Sequence, residues 1–190
     1  MPTHDTKEQF STKTVTLHWI IALAMIGMVV FGLVLEDMPR SDGKSALIQI
    51  HKSIGVIVLA LALWRLVWRV RQGMPQSISV LTPVQAKLAH ATHGFLLLCT
   101  LLLPVSGILY SIGSARPISI FGVPFIPQLL AAKNETLAAI GKGGHAILGK
   151  LIIAAILLHV AAALKHHLVD RDGTLRRMAG ARVASKQTVA

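Results

Sequence analysis

Four histidines of this chain have the residue type and spacing to bind metal-containing cofactors inside a membrane. His145 and His159 lie 14 residues apart on one apolar segment. On a helix this separation is nearly four whole turns, so both imidazoles would leave the same face about 21 Å apart along the axis. One of them would then lie near each edge of a hydrocarbon core that is about 30 Å thick.

His18 and His51 supply the matching partners, because each lies near the start of another apolar segment. Antiparallel helices would place one of them at each membrane edge and so form two histidine pairs. A neutral imidazole is a good ligand for haem iron, and a polar side chain in lipid is costly without a partner. We therefore interpret the four residues as axial ligands of two b-type haems. The alternative is histidines that pack between helices and bond to neighbouring carbonyls.

The apolar segments that carry these histidines are long enough to cross a bilayer. Hydrophobic residues make up 53% of the 190 residues and charged residues only 14%, a composition too apolar for an ordinary soluble domain. We predict an all-α fold, a four-helix transmembrane bundle that forms a single membrane domain over residues 1–190. The predicted helices cover about residues 15–35, 47–70, 84–112 and 144–169, followed by a tail over 170–190.

The connection between the third and fourth predicted helices runs from Gly113 to Gly143 and contains three prolines. A structureless loop of this length would be unusual, and long loops are often functional. We therefore expect a short amphipathic helix at the surface, around Leu129–Ile140.

The net charge of +11 predicts the orientation of the helices. Cytoplasmic loops of membrane proteins are enriched in lysine and arginine, and two regions of this chain are strongly basic. These residues are Arg65, Arg69, Arg71 and Lys87 around the middle connection, and Lys165, Arg171, Arg176, Arg177, Arg182 and Lys186 around the tail. We expect both termini to be cytoplasmic, with His18 and His159 at the cytoplasmic edge. The basic charge is thus interpreted as membrane flanks and not as a nucleic-acid surface.

Several short motifs follow one another in a recognisable order. They are Thr16-Leu17-His18-Trp19, Ile50-His51-Lys52-Ser53-Ile54-Gly55, Ala89-His90-Ala91-Thr92-His93-Gly94, Leu103-Pro104-Val105-Ser106-Gly107, Leu158-His159 through His166-His167, and Thr174-Leu175-Arg176-Arg177-Met178. Together they resemble bacterial cytochrome b561, a family of small four-helix dihaem proteins of the inner membrane, from about Ser11 to Met178.

The resemblance implies that His18 and His159 bind one haem and that His51 and His145 bind the other. It also implies electron exchange with ubiquinone. The best-studied members of the family oxidise superoxide on the periplasmic side and pass the electron to quinone, which makes superoxide the expected donor here.

Two arginines are candidate haem-binding residues. Arg65 lies 14 residues after His51 and so shares its helix face, at the cytoplasmic end, where it could pair with a haem propionate. Arg116 precedes Pro117 in the periplasmic connection, where it could attract an anion or pair with the other haem's propionate. For each of them, an arginine at the membrane surface without a specific partner is the alternative.

His166 is the candidate catalytic residue for quinone reduction. It lies seven residues after His159, on the same face and about 10 Å further along the helix. A quinone head group beside the cytoplasmic haem must take up protons, and histidine titrates near neutral pH. The alternative is a solvated cation at a helix end.

Three alternatives stay open at this point. His90 or His93 could replace His18 as a ligand, or could contribute to quinone binding or helix packing. The chain could be the membrane anchor of a dehydrogenase or hydrogenase, with a donor protein as partner. It could also be a haem-free transporter. If haem binds, it binds without thioether links, because the single cysteine, Cys99, excludes a Cys-x-x-Cys-His motif.

Overall fold

The computed structural model describes residues 2–79 and 81–183 and is mostly helical. Four helices are long and apolar enough to cross a membrane. The elements are α1 (Thr12–Asp37), α2 (Asp42–Gln72), α3 (Pro83–Gly113), β1 (Ile118–Ile120), β2 (Val123–Ile126), α4 (Glu135–Leu168) and α5 (Thr174–Met178). Residues 184–190 of the predicted tail, with Lys186, lie outside the described part of the chain.

Each of the four long helices begins at a polar capping residue. Ser11 accepts a hydrogen bond from the Thr14 amide at the start of α1, and the hydroxyl of Ser41 accepts one from the Lys44 amide in α2. α3 begins with a reciprocal capping box, in which Thr82 and Gln85 each accept from the other's backbone amide. These caps satisfy amides that the helix cannot pair, and they fix where each helix begins.

The connection between α3 and α4 differs from the expected one. α4 begins at Glu135, nine residues before the predicted start, because Asn134 caps it by accepting from the Leu137 amide at 2.9 Å. The helix therefore includes much of the stretch for which we expected a separate surface helix. The preceding residues form an antiparallel β1–β2 hairpin that the sequence did not predict.

The chain forms two compact units, and each contains part of all four long helices. The first unit combines residues 1–20, 64–96 and 154–190, and the second combines residues 21–63 and 97–153. His18 and His159 lie in the first unit, and His51 and His145 lie in the second.

The first unit contains a terminal clasp, in which residues 5–11 pack against residues 174–183. The buried guanidinium of Arg177 lies 4.0 Å from the ring centre of Phe10 and donates to the carbonyl of Lys7. The amide of Val183 donates to the carbonyl of Glu8 at 3.0 Å. Residues near the two ends of the described chain are therefore held together by backbone and side-chain bonds.

In the second unit, α3 and α4 approach each other closely at glycines. A Cβ atom at Gly141 would lie 2.3 Å from the backbone nitrogen of Tyr110, and one at Gly113 would lie 2.4 Å from that of Ala138. Small residues at such positions let transmembrane helices pack backbone against backbone. Gly141 lies one turn before His145, so this contact also sets the position of that histidine.

Replacing Gly141 with alanine is expected to force α3 and α4 apart. Overpacking of this kind destabilises a protein by about 1–3 kcal/mol. Gly143→Ala is the matched control, because a Cβ at Gly143 would meet nothing within 4 Å. Thermal unfolding of both variants in detergent measures the difference, and equal transition temperatures would contradict the close approach.

Candidate functional site

The structure brings the four predicted ligand histidines together as two pairs. In the first unit, the ring centres of His18 and His159 are 6.3 Å apart, with an angle of 61° between the ring planes. In the second unit, those of His51 and His145 are 6.2 Å apart, with an angle of 75°. Each pair joins α4 to a second helix, α1 in one unit and α2 in the other.

The separation of the rings fits two imidazoles on opposite sides of one iron atom. A metal-bound imidazole nitrogen lies about 2.0 Å from the metal and about 1.1 Å from its ring centre, so opposed rings have centres about 6.2 Å apart. Both pairs match this value. The ring centres of His93 and His159 are only 5.2 Å apart, which is too close for that arrangement. The geometry therefore favours His18 over His93 as the partner of His159.

His90 is a poorer candidate than His93. Its ring lies on the exposed side of α3, and its Nδ1 is 2.7 Å from the carbonyl of Ala86, one turn earlier on the same helix. This bond would leave Nε2 of His90 free, as in His145, so His90 is the poorer candidate because, unlike His93, it has no ring contact with His159 in the described part of the chain.

His145 is oriented by the Leu103–Gly107 motif of α3. Its Nδ1 lies 3.0 Å from the carbonyl oxygen of Leu103 and 3.1 Å from the hydroxyl of Ser106. A carbonyl can only accept, so Nδ1 carries the proton and the lone pair of Nε2 is free for iron. Gly107 leaves room for the ring, because a Cβ there would lie 3.4 Å from Cε1 of His145.

His51 is enclosed without a hydrogen bond at one of its nitrogens. Its Nδ1 is buried, and no group in residues 2–79 or 81–183 pairs with it. The ring packs edge-on against Phe31, and Gly32 lies on another side, where a Cβ would be 3.6 Å from Cε1. A histidine kept only for helix packing would bond to a neighbouring carbonyl. This environment favours the ligand interpretation of His51.

The side chain of Arg65 contacts His18 and not His51. Its Nη2 lies 3.2 Å from Nδ1 of His18. Arginine only donates, so this contact makes Nδ1 an acceptor and leaves the proton on Nε2. Iron binding at Nε2 needs the opposite tautomer, so Arg65 must release His18 when a haem is bound. A guanidinium freed in this way is available for a propionate.

In the second unit, Arg116 is exposed at the start of the hairpin connection. The ammonium of Lys52 lies 3.4 Å from the carbonyl of Pro117, the residue after Arg116. Lys52 also follows His51 in the sequence, yet the sequence analysis assigned it no role. Two cations thus lie near the His51 pair.

His166 is half-buried and is held by carboxylates after the end of α4. Its Nδ1 lies 2.7 Å from Oδ2 of Asp172 and 3.1 Å from Oδ2 of Asp170. Burial alone would raise the pKa of the Asp172 carboxyl, but hydrogen bonds from Ser79, Thr174 and His166 outweigh it and hold that pKa at about 2. Asp172 is therefore ionised at neutral pH. No periodic sequence pattern indicates this role, because Asp172 lies in the irregular segment after α4.

The comparisons with known proteins agree with this picture of a membrane b-type cytochrome. The family model of prokaryotic cytochrome b561 matches residues 9–181. The chain therefore belongs to the prokaryotic cytochrome b561 family, which confirms the resemblance seen in the motifs. Members of this family transfer electrons in the membrane and carry b-type haem.

Curated relatives match along almost their whole length. Cytochrome b561 homolog 2 of Escherichia coli (strain K12) is 31% identical over 182 residues, which cover 93% of this chain and 94% of the relative. The probable superoxide oxidase CybB of Yersinia pestis is 31% identical over 173 residues, covering 90% and 96%. Cytochrome b561 homolog 1 of Escherichia coli (strain K12) is 30% identical over 175 residues, with coverage of 90% and 96%.

Proposed function

We propose that this protein is a dihaem cytochrome that carries electrons across the inner membrane from superoxide to ubiquinone. It does so as a single four-helix membrane domain over residues 1–190, with superoxide oxidised on the periplasmic side. The proposal rests on the two histidine pairs, one in each compact unit. The ring centres are 6.3 Å apart in one pair and 6.2 Å apart in the other. A haem-free transporter has no need for this repeated spacing.

His18 and His159 hold one haem in this proposal, and His51 and His145 hold the other. When bound, each haem supplies an iron centre that takes up and releases one electron. The carbonyl of Leu103 keeps Nε2 of His145 free for the metal. Arg65 would have to leave Nδ1 of His18, and its guanidinium would then be available to pair with a propionate.

Both haems are expected to be non-covalently bound. The single cysteine, Cys99, is fully buried in α3 and has no Cys-x-x-Cys-His context. Acid acetone should therefore extract all the haem, and pyridine haemochrome should give about two haems per chain, one for each histidine pair. A fraction retained on the protein, or one haem per chain, would contradict the dihaem arrangement.

We place both termini in the cytoplasm. The bonds of the terminal clasp, such as Val183 to Glu8, support a common side for the two ends. The basic residues around the middle connection and the tail support the cytoplasmic side. With this orientation, His51 and His145 lie at the periplasmic edge and His18 and His159 at the cytoplasmic edge.

Positive charge near the periplasmic edge favours an anionic donor. Lys52 directly follows His51, and Arg116 precedes Pro117, whose carbonyl Lys52 contacts. Lys142 is exposed on α4, whereas the exposed Lys133 is paired with Glu135 at 2.7 Å. A cationic rim raises the local concentration of a small anion such as superoxide. The relative from Yersinia pestis that is named as a probable superoxide oxidase supports the same substrate.

Stopped-flow mixing of the oxidised, haem-loaded protein with superoxide tests the donor. The haem should be reduced rapidly, and addition of ubiquinone should then reoxidise it. Failure of superoxide to reduce the haem, together with copurification of a dehydrogenase or hydrogenase subunit, would favour a membrane-anchor role.

Quinone reduction is assigned to the cytoplasmic end, with His166 as the proton-donating group. The contact between Nδ1 and Asp172 holds the ring and leaves Nε2 as the nitrogen available to a quinone oxygen. Asp172 acts through His166 and is therefore a positioning residue. Arg69 is paired with Asp5 at 2.6 Å and Lys165 with Asp170 at 2.7 Å, so neither is free to stabilise negative charge on a partly reduced quinone.

A further inference from the structure

The connection between α3 and α4 exposes an apolar hairpin tip. Residues 117–132 contain no charged side chain and are flanked by Arg116 and Lys133. Within this stretch, the side chains of Phe121, Val123 and Phe125 are 62%, 67% and 53% exposed. Three large apolar residues at the end of one short hairpin are unusual for a loop that faces only water.

The turn of the hairpin holds an aromatic residue in a strained backbone conformation. Phe121 has a φ of 48° and Gly122 a φ of 88°, the pattern of a two-residue turn with both residues in the left-handed region. Asparagine followed by glycine is the common choice for such a turn, because a bulky side chain is disfavoured at positive φ. Phe121 is therefore in a strained backbone conformation, yet its side chain is not buried in the protein. This combination indicates that the side chain contacts something other than the protein itself.

The hairpin is attached to α2 where that helix becomes apolar. The hydroxyl of Ser53 accepts a hydrogen bond from the Phe121 amide at 2.9 Å and lies 3.2 Å from the carbonyl of Ser119. Ser53 directly follows Lys52 and begins the uncharged stretch of α2, which continues to Trp64. The attachment point is therefore at the level where α2 enters the hydrocarbon core.

The exposed surface of α2 next to this attachment point is also apolar. Ile50 and Ile57 lie within about 60° of Ser53 around the helix axis, and both are exposed. The hairpin tip is thus continuous with a surface of a membrane-spanning helix that faces lipid.

We propose that the hairpin tip, Phe121–Phe125, inserts into the interfacial region of the lipid bilayer on its side of the membrane. The apolar side chains lie in the boundary between head groups and acyl chains, and the cations at residues 116 and 133 remain at the head groups. Through the bonds to Ser53, the lipid surface then holds the segment of α2 that directly follows His51.

Spin labels on the haem-loaded protein in lipid nanodiscs test this depth. Single cysteines replace Phe121 in one variant and Val123 in a second, so that one site remains if the other variant misfolds. Arg40→Cys is the matched control, because Arg40 is exposed in the polar connection between α1 and α2, on the same side of the membrane as the hairpin. The unmodified protein, whose single Cys99 is buried, gives the labelling background.

The measured quantity is the ratio of label collisions with oxygen, which partitions into lipid, to collisions with a water-soluble nickel chelate. At residues 121 and 123 this ratio should exceed that at residue 40 by at least about threefold, as for an interfacial segment. Equal ratios at all three sites would place the tip in water and overturn the proposal. Labels accessible to neither reagent would mean that a second copy or another protein covers the tip, which also overturns it.

Discussion

His51→Ala and His159→Ala proteins are each expected to contain one haem, whereas the unmodified protein is expected to contain two. Each substitution removes one axial ligand from a different histidine pair, and the pairs lie in different compact units. An iron with one remaining imidazole is held by a single protein bond and loses its low-spin character. Haem content per chain and the low-spin resonances of the oxidised protein measure the loss.

The companion variants decide between His18 and His93. His18→Ala should lose the same haem as His159→Ala, because those rings have the separation that one iron requires. His93→Ala should retain both haems, and His90→Ala is the control for a histidine bonded to its own helix. Loss of a haem from His93→Ala but not from His18→Ala would show that the proposed pairing is wrong.

His166→Leu is expected to slow haem reoxidation by ubiquinone by at least about 10-fold, the lower end of what a positioned acid–base group contributes. Leucine cannot donate a proton or a hydrogen bond to the quinone. Both haem spectra and the rate of reduction by superoxide should remain unchanged, because His166 is seven residues from the proposed ligand His159. Single-turnover reoxidation after rapid reduction isolates the affected step.

Variants of the two carboxylates test how His166 is held. Asp172→Asn should slow reoxidation by a smaller factor, because it weakens the 2.7 Å contact to Nδ1. Asp170→Asn is the matched control, since Asp170 lies further from Nδ1 and its carboxylate also pairs with Lys165. Unchanged reoxidation in a His166→Leu protein with full haem content would place the quinone elsewhere, with His90 and His93 as the next candidates.

The low pKa of Asp172 predicts that its own titration will not appear in the pH dependence of the reoxidation rate. Its folded pKa of about 2 lies below its ordinary value, so its stabilising interactions are complete above about pH 4 and disappear as the pH falls through 2. The carboxylate is therefore ionised at every pH at which the protein would be assayed. A titration in the reoxidation rate near neutral pH would therefore belong to another group.

The sequence predicted the membrane-spanning helices because apolar length is a direct requirement of the bilayer. It predicted the start of α4 poorly, because the glycines before His145 usually weaken a helix. The reason for a glycine in this part of the helix is visible only in the packed structure, where Gly141 lies against the backbone of Tyr110. The hairpin was missed because Pro124 argues against a strand and the strands have only three and four residues.

The sequence indicated which four histidines the structure brings together in pairs, but not the groups around them. Spacing along helices pointed to His145 and His159, whereas the bond from His145 to Leu103 joins helices whose packing the sequence does not specify. Arg65 shares the helix face of His51, yet its long side chain reaches His18 on another helix. Asp172 reaches His166 through an irregular turn, for which no periodic pattern exists.

The terminal clasp has a consequence for biosynthesis. Residues 5–11 are made before the four spanning helices, but Arg177, which covers Phe10 and bonds to Lys7, is made after them. Residues 5–11 therefore remain without their contacts to Arg177 while the four helices enter the membrane. A chain interrupted before Arg177 would leave the ring of Phe10 and the carbonyl of Lys7 uncovered. Closure of the clasp thus distinguishes a chain that includes Arg177 from one that stops before it, a difference that cellular quality control can act on.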